Sequence, residues 1–256
     1  MKNRYIIIFL VVLIISNIFL IISNYKKYDY IFFGTHTILE YKDEQLIGIK
    51  EYKKVNNKLN YKIFNVYNDT KIDKYYLNIN NDGSIPGYDI YSLDNEQINL
   101  SNSLLAYTDG IEIKILKNIK SNEIKEADKF IFKEIFKQYD LSENYNLFME
   151  KIECDIDNDG SLEKIYSINN YGLSNEKIYC FTFLVESDDK FIMIDKIIDK
   201  PENVQNVDRK NLSWVIDLDN DNKYEIVLMK NSGDNTITYY EFYKYDDKSN
   251  KITKMK

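Results

Sequence analysis

Two short runs set carboxylates at alternate residues, the arrangement that lets a tight loop turn several of them onto one centre. In DIDNDGSLE, Asp155, Asp157 and Asp159 stand at positions 1, 3 and 5, Gly160 at position 6 and Glu163 at position 9. The backbone carbonyl at position 7, that of Ser161, points the same way in such a loop. Hard oxygen donors in this number suit Ca²⁺, which takes six to eight of them, better than Mg²⁺, which takes fewer protein ligands in a stricter geometry. Without a cation, four carboxylates held this close repel one another strongly. The pattern returns 62 residues on (217 − 155), where DLDNDNKYE places Asp217, Asp219, Asp221 and Glu225 at positions 1, 3, 5 and 9. Position 6 is now Asn222, and Asn tolerates positive φ better than any residue but glycine. The competing reading is a pair of solvated hairpin turns in an Asn- and Asp-rich chain. Two copies that share four carboxylate positions and a following strand favour the metal reading.

Position 12 excludes a helix-loop-helix site. Such a site closes with a bidentate Glu there, whereas this chain has Tyr166 and Leu228. The flanks alternate like strands and position 9 closes the loop. In this the runs resemble the DxDxDGxxD/E loops of FG-GAP/VCBS-type repeats in integrin-like β-propellers. The resemblance covers about 20 residues in each copy. It implies calcium held by Asp155, Asp157, Asp159, Glu163 and the Ser161 carbonyl, and by Asp219, Asp217, Asp221, Glu225 and the Lys223 carbonyl. No FG-GAP dipeptide precedes either loop and two repeats do not close a propeller, so a smaller β-meander built around them is expected. A fainter echo, NINNDGSI from Asn78 to Ile85, keeps only Asp82 as an acid and puts Pro86 at position 9. It reads as a decayed third loop or as an NDG hairpin turn.

The elements that would hold these loops are mostly strands. FMEKIE, EKIYSIN, KIYCFTFLVE, KFIMIDKII, LSWVIDL, YEIVLMK and TITYYEFYKYD alternate between polar turns and read as a meander. One helix is expected from Ser121 to Tyr139. Ser121 is its N-cap, acids come early and lysines late, and Ile124, Ala127, Ile131, Phe132 and Ile135 form an apolar stripe that packs on a core. Upstream, HTILEYKDEQLIGIKEY, KLNYKIFNVYN, KYYLNI and GIEIKILKNI form a further β-rich region. The expected fold is mainly β (α+β), with a β-rich part over 29–118 and a helix-plus-meander module over 121–256.

The N-terminus reads differently. Residues 1–4 are a short basic tail on the cytoplasmic side, and Tyr5 to Ser23 is an uncharged apolar run. At 1.5 Å per residue it spans about 28 Å, close to the ~30 Å hydrocarbon core, so 5–23 reads as a transmembrane anchor. A cleaved signal peptide is the alternative, although no small-residue cleavage site follows. Lys2 and Arg4 before the run and Lys26 and Lys27 after it leave the positive-inside rule nearly neutral. Calcium-type loops suit the outside, so the expected topology is single-pass in the cell membrane with the C-terminal domain extracytoplasmic. Cys154 and Cys180 could pair there, but they fall on strands that are not neighbours in a meander, and two buried free thiols are expected.

Net charge is −7, which argues against nucleic acid, whose phosphates need a clustered basic surface. The single histidine, His36, and the absence of a nucleophile elbow, HExxH motif, Gly-rich phosphate loop or Cys/His cluster leave no catalytic constellation. The expectation is a binding or assembly module at a bacterial envelope, with calcium in a structural role and a protein or glycan partner. The alternative is a carboxylate-dependent envelope hydrolase.

Overall fold

A computed structural model describes residues 29–33, 37–42, 45–48, 61–65, 70–80, 87–92, 97–98, 104–108, 113–115, 125–143, 147–171, 177–186, 190–200, 207–231, 238–246, 248–249 and 251–255. The expected anchor at 5–23, its cytoplasmic tail, His36 and the Ser121 cap lie outside them. No helix among the described residues is long and apolar enough to cross a membrane.

These residues form seventeen strands and one helix. The strands are β1 (Asp29–Phe33), β2 (Thr37–Lys42), β3 (Gln45–Gly48), β4 (Tyr61–Asn65), β5 (Thr70–Asn80), β6 (Gly87–Ser92), β7 (Gln97–Ile98), β8 (Leu104–Thr108) and β9 (Lys114–Ile115). After helix α1 (Glu126–Gln138) come β10 (Phe148–Cys154), β11 (Glu163–Asn169), β12 (Ile178–Val185), β13 (Phe191–Asp199), β14 (Arg209–Asp217), β15 (Glu225–Asn231), β16 (Thr238–Asp246) and β17 (Lys251–Lys254). The mainly β expectation with one packed helix is met.

The strands make three sheets. The first eight form an eight-stranded sheet, β10-β11-β12-β13 a four-stranded sheet, and β17-β16-β15-β14-β9 a five-stranded one. The last two are antiparallel meanders of the same plan, four consecutive strands each, with a DxDxDxxxE loop joining the first strand to the second. β9 adds an edge by pairing Ile115 with Ile216 and Lys114 with Asp217, so the second meander reaches back across the boundary expected between 118 and 121.

Side-chain alternation stacks the layers. Tyr179, Phe181, Phe183 and Val185 of β12 face α1, where Ile131, Phe132, Ile135 and Phe136 close a core. Leu184 faces the other way, into a second core with Ile152 and Ile165 of its own sheet and Leu212, Val215, Ile226 and Leu228 of the next. A third core joins Trp214, Ile216 and Val227 to Ile31 and Leu39 of the eight-stranded sheet. Leu212 and Trp214 share parity yet serve opposite faces. The reason is a bulge: Leu212 pairs with Leu228 and Trp214 with Val227, so Ser213 is an extra residue that flips the alternation. β12 is buried on both faces, which is why its sequence reads as a continuous apolar run.

The helix is shorter than expected and its stripe is shifted. Lys125 is extended at φ −87°, ψ 163° and caps the start, with its N–H donating to the Asp128 carboxylate at 2.8 Å. Phe136 joins the buried face, whereas Ala127 is exposed and Ile124 is outside the described residues. Asp128 itself is buried, where the Tyr166 hydroxyl donates to it at 2.5 Å. At the other end Asp140 is left-handed (φ 51°), and Leu141 N–H donates to Phe136 C=O at 2.9 Å, ending the helix in a Schellman turn.

Candidate metal centres

Each loop is held open by the same four hydrogen bonds. The position-1 aspartate accepts twice: Asp155 Oδ1 from Asp159 N–H at 3.0 Å and Oδ2 from Gly160 N–H at 2.9 Å. Asp217 does the same with Asp221 and Asn222, both at 3.1 Å. The position-5 aspartate caps residue 7, with Ser161 N–H donating to Asp159 at 2.6 Å and Lys223 N–H to Asp221 at 2.8 Å. The position-9 glutamate reaches back across the loop to residue 2, so that Ile156 N–H donates to Glu163 at 2.9 Å and Leu218 N–H to Glu225 at 3.0 Å.

The backbone repeats as well. Asn158 (φ 63°) and Gly160 (φ 91°) are left-handed in the first loop, and Asn220 (φ 58°) and Asn222 (φ 64°) in the second. Asn222 thus takes up the conformation expected for it at position 6. The asparagines at position 4 were missed by sequence reasoning, although both copies carry one. Left-handed residues at 4 and 6 wind the loop tightly enough for its amides to point inward at the position-1 carboxylate.

This scaffold brings three carboxylates together in each copy. Oxygens of Asp155, Asp157 and Glu163 all lie within 4.8 Å of one another, and so do those of Asp217, Asp219 and Glu225. Asp159 and Asp221, expected among the ligands, fall outside these trios and act in the frame. Ser161 and Lys223 stand at position 7 with their amides fixed by that frame. Asn78 and Asn80, the first positions of the faint third copy, lie within β5 and pair with Asp89 and Gly87. That placement differs from both loops, whose position-1 residue follows the last pair of the hairpin, and it matches a plain turn. Residues 81–86 are outside the described set.

Gathering the carboxylates perturbs them. Burial, then the aspartates of its loop, raise the pKa of Glu163. Burial and the Asp219 and Asp221 charges push Glu225 up to about 7 against the pull of Leu218 N–H and Lys244. Asp217 is likewise raised by burial. Asp221 is raised by burial but brought below its ordinary value by Lys244. In the second loop two carboxylate oxygens, Asp219 Oδ1 and Glu225 Oε1, are buried with no hydrogen-bond partner.

The two loops also touch. Tyr224 N–H at position 8 of the second donates to Ile156 C=O at position 2 of the first, at 2.9 Å. Neither this bridge nor the Lys244 ammonium beside the second loop is visible in sequence, because both depend on how distant strands register.

Cys154 and Cys180 are buried free thiols, as expected. Burial and the neighbouring Glu163 push Cys154 up to about 12, and burial pushes Cys180 up to about 11, so neither is a nucleophile at neutral pH. Comparisons with protein-family models, curated proteins and solved structures find no match to this chain.

Proposed function

We propose that both loops bind calcium and that the ion's role is structural, pinning the turn between the first two strands of each meander. The observation that carries this reading is the pair of buried carboxylate oxygens, Asp219 Oδ1 and Glu225 Oε1, left without a donor inside a preformed trio. A buried charged oxygen with no partner is costly unless a cation supplies the missing interaction. Calcium fits the donor set, since all the converging atoms are carboxylate oxygens and its coordination is flexible. Bound ion would also relieve the repulsion that raises Glu163 and Glu225.

The wider role follows from the sequence. The apolar run at 5–23 anchors the chain in the cell membrane in a single pass, the layered β domain stands on the extracytoplasmic side, and a protein or glycan of a bacterial envelope is its partner. Extracellular modules hold calcium at about 10⁻⁴ to 10⁻³ M, so the loops would stay filled there. The domain is then a binding or assembly module, whose ion acts on shape and leaves chemistry aside.

Thermal unfolding with and without millimolar Ca²⁺ tests the metal assignment. The midpoint should rise with calcium, following RT ln(1 + [L]/Kd), and the rise should shrink in Asp157→Ala and in Asp219→Ala. An unchanged midpoint in the wild-type chain would sink the proposal.

A further inference from the structure

The two loops share a frame and differ in what faces it. Glu225 is paired across the sheet with Lys244 of β16. The Lys244 ammonium lies 2.9 Å from Asp219 Oδ2, 2.8 Å from Asp221 Oδ2 and 3.4 Å from Glu225 Oε1. In the first meander the equivalent pairing runs Lys164 with Val185. One residue further along, opposite Glu163, stands Glu186. Its Oε1 accepts from the Tyr245 hydroxyl at 2.6 Å, a contact from the second meander. An ammonium therefore faces one trio and a further carboxylate faces the other.

Lys244 only partly serves its loop. It bonds Asp219 through Oδ2, yet Oδ1 of the same residue and Oε1 of the fully buried Glu225 keep no hydrogen-bond partner. Its side chain is 31% exposed, so the ammonium has a path back to water. A divalent ion that takes up the three carboxylates must displace this ammonium, because like charges cannot share the site. The cost of breaking those charge-assisted bonds subtracts from the ion's affinity at the second loop. At the first loop the Glu186 charge adds to the attraction.

We propose that Lys244 is a built-in competitor for calcium, so that the two loops fill in sequence. The Glu186-faced loop takes the ion first, and the second takes it only as Lys244 withdraws. This rests on the calcium reading of the loops and adds to it an order of binding set by two residues outside either motif.

Calcium titrated calorimetrically into the full chain in detergent tests it. Two classes of site are expected in the wild type. The weaker disappears in Asp219→Asn, and the tighter in Asp155→Asn. Lys244→Met should tighten the weaker class about tenfold, the equivalent of 1.4 kcal/mol, and leave the tighter one in place. Lys244→Gln should act in the same direction, which guards against a repacking effect of Met. Glu186→Lys should weaken the tighter class. Binding in which both Lys244 variants leave the weaker class unchanged, or weaken it, overturns the competitor role while sparing the calcium reading. No binding at all in the wild type overturns both.

Discussion

Replacing Glu241 with Gln tests whether a buried ion cluster ties the two meanders together. Glu241 on β16 is 7% exposed; its Oε2 accepts from Lys210 at 2.8 Å and from the Tyr243 hydroxyl at 2.9 Å, and its Oε1 from Lys254 at 2.7 Å. Lys210 on β14 also holds Asp195 of β13, in the other sheet, at 2.7 Å. Burial pushes the Glu241 pKa up, but Lys210 and Lys254 outweigh it and bring it from 4.5 to about 2. A depressed carboxyl contributes stability that is present above its unfolded value and is lost as pH falls through its folded value. The displacement corresponds to roughly 3 kcal/mol, and screening of the half-exposed Lys254 lowers this to about 2 kcal/mol. Gln keeps an acceptor for Tyr243 and leaves Lys210 paired with Asp195, so the loss should stay below the 3–5 kcal/mol typical of a buried pair stripped of one partner. Urea unfolding at a series of pH values reads it. The variant should be about 2 kcal/mol less stable above pH 5, melting about 4–8 °C lower, and the gap should close between about pH 4.5 and 2. A gap under about 0.5 kcal/mol at pH 7, or one that widens on acidification, would refute the reasoning.

Three further outcomes follow from packing and backbone. Gly160→Ala should cost about 1 kcal/mol in chelator, since an added Cβ meets nothing within 4 Å and only the positive φ resists it. Asn222→Gly should be close to neutral by the same measurement, while Asn222→Ala should lose a similar amount. Phe132→Ala should cost about 3–5 kcal/mol in chemical denaturation, because the ring is fully buried and sits 5.7 Å edge-on to Tyr166 and 6.1 Å from Phe183. Cys154 and Cys180 should resist a thiol reagent in the native protein and both react once it is unfolded; rapid native labelling of either would contradict their buried, raised-pKa state.

Much of the second half of the chain was legible because its signals are local. The seven expected strand runs over 148–246 fall on β10 to β16, since period-two alternation and polar turns are properties of the run itself. The acidic loops were visible for the same reason: their frame is built from residues within nine positions of one another. Other features depend on register. The Ser213 bulge that turns Trp214 to a different core, the edge strand β9 and the Lys244 and Glu186 positions are all set by pairing between distant segments. The helix start moved because Asp128, three residues into the helix, reaches back to the Lys125 amide and fixes the first turn there. β17 is a short edge strand with three exposed residues, so it carries little apolar pattern to read.

The calcium assignment is tested most directly by anomalous diffraction from crystals of the full chain grown with Tb³⁺ or Ca²⁺. It predicts a peak about 2.3–2.6 Å from carboxylate oxygens of Asp155, Asp157 and Glu163. A second peak should appear at Asp217, Asp219 and Glu225 at higher ion concentration, with the Lys244 ammonium moved away from them. Well-ordered loops with no peak at either trio under saturating ion would contradict it.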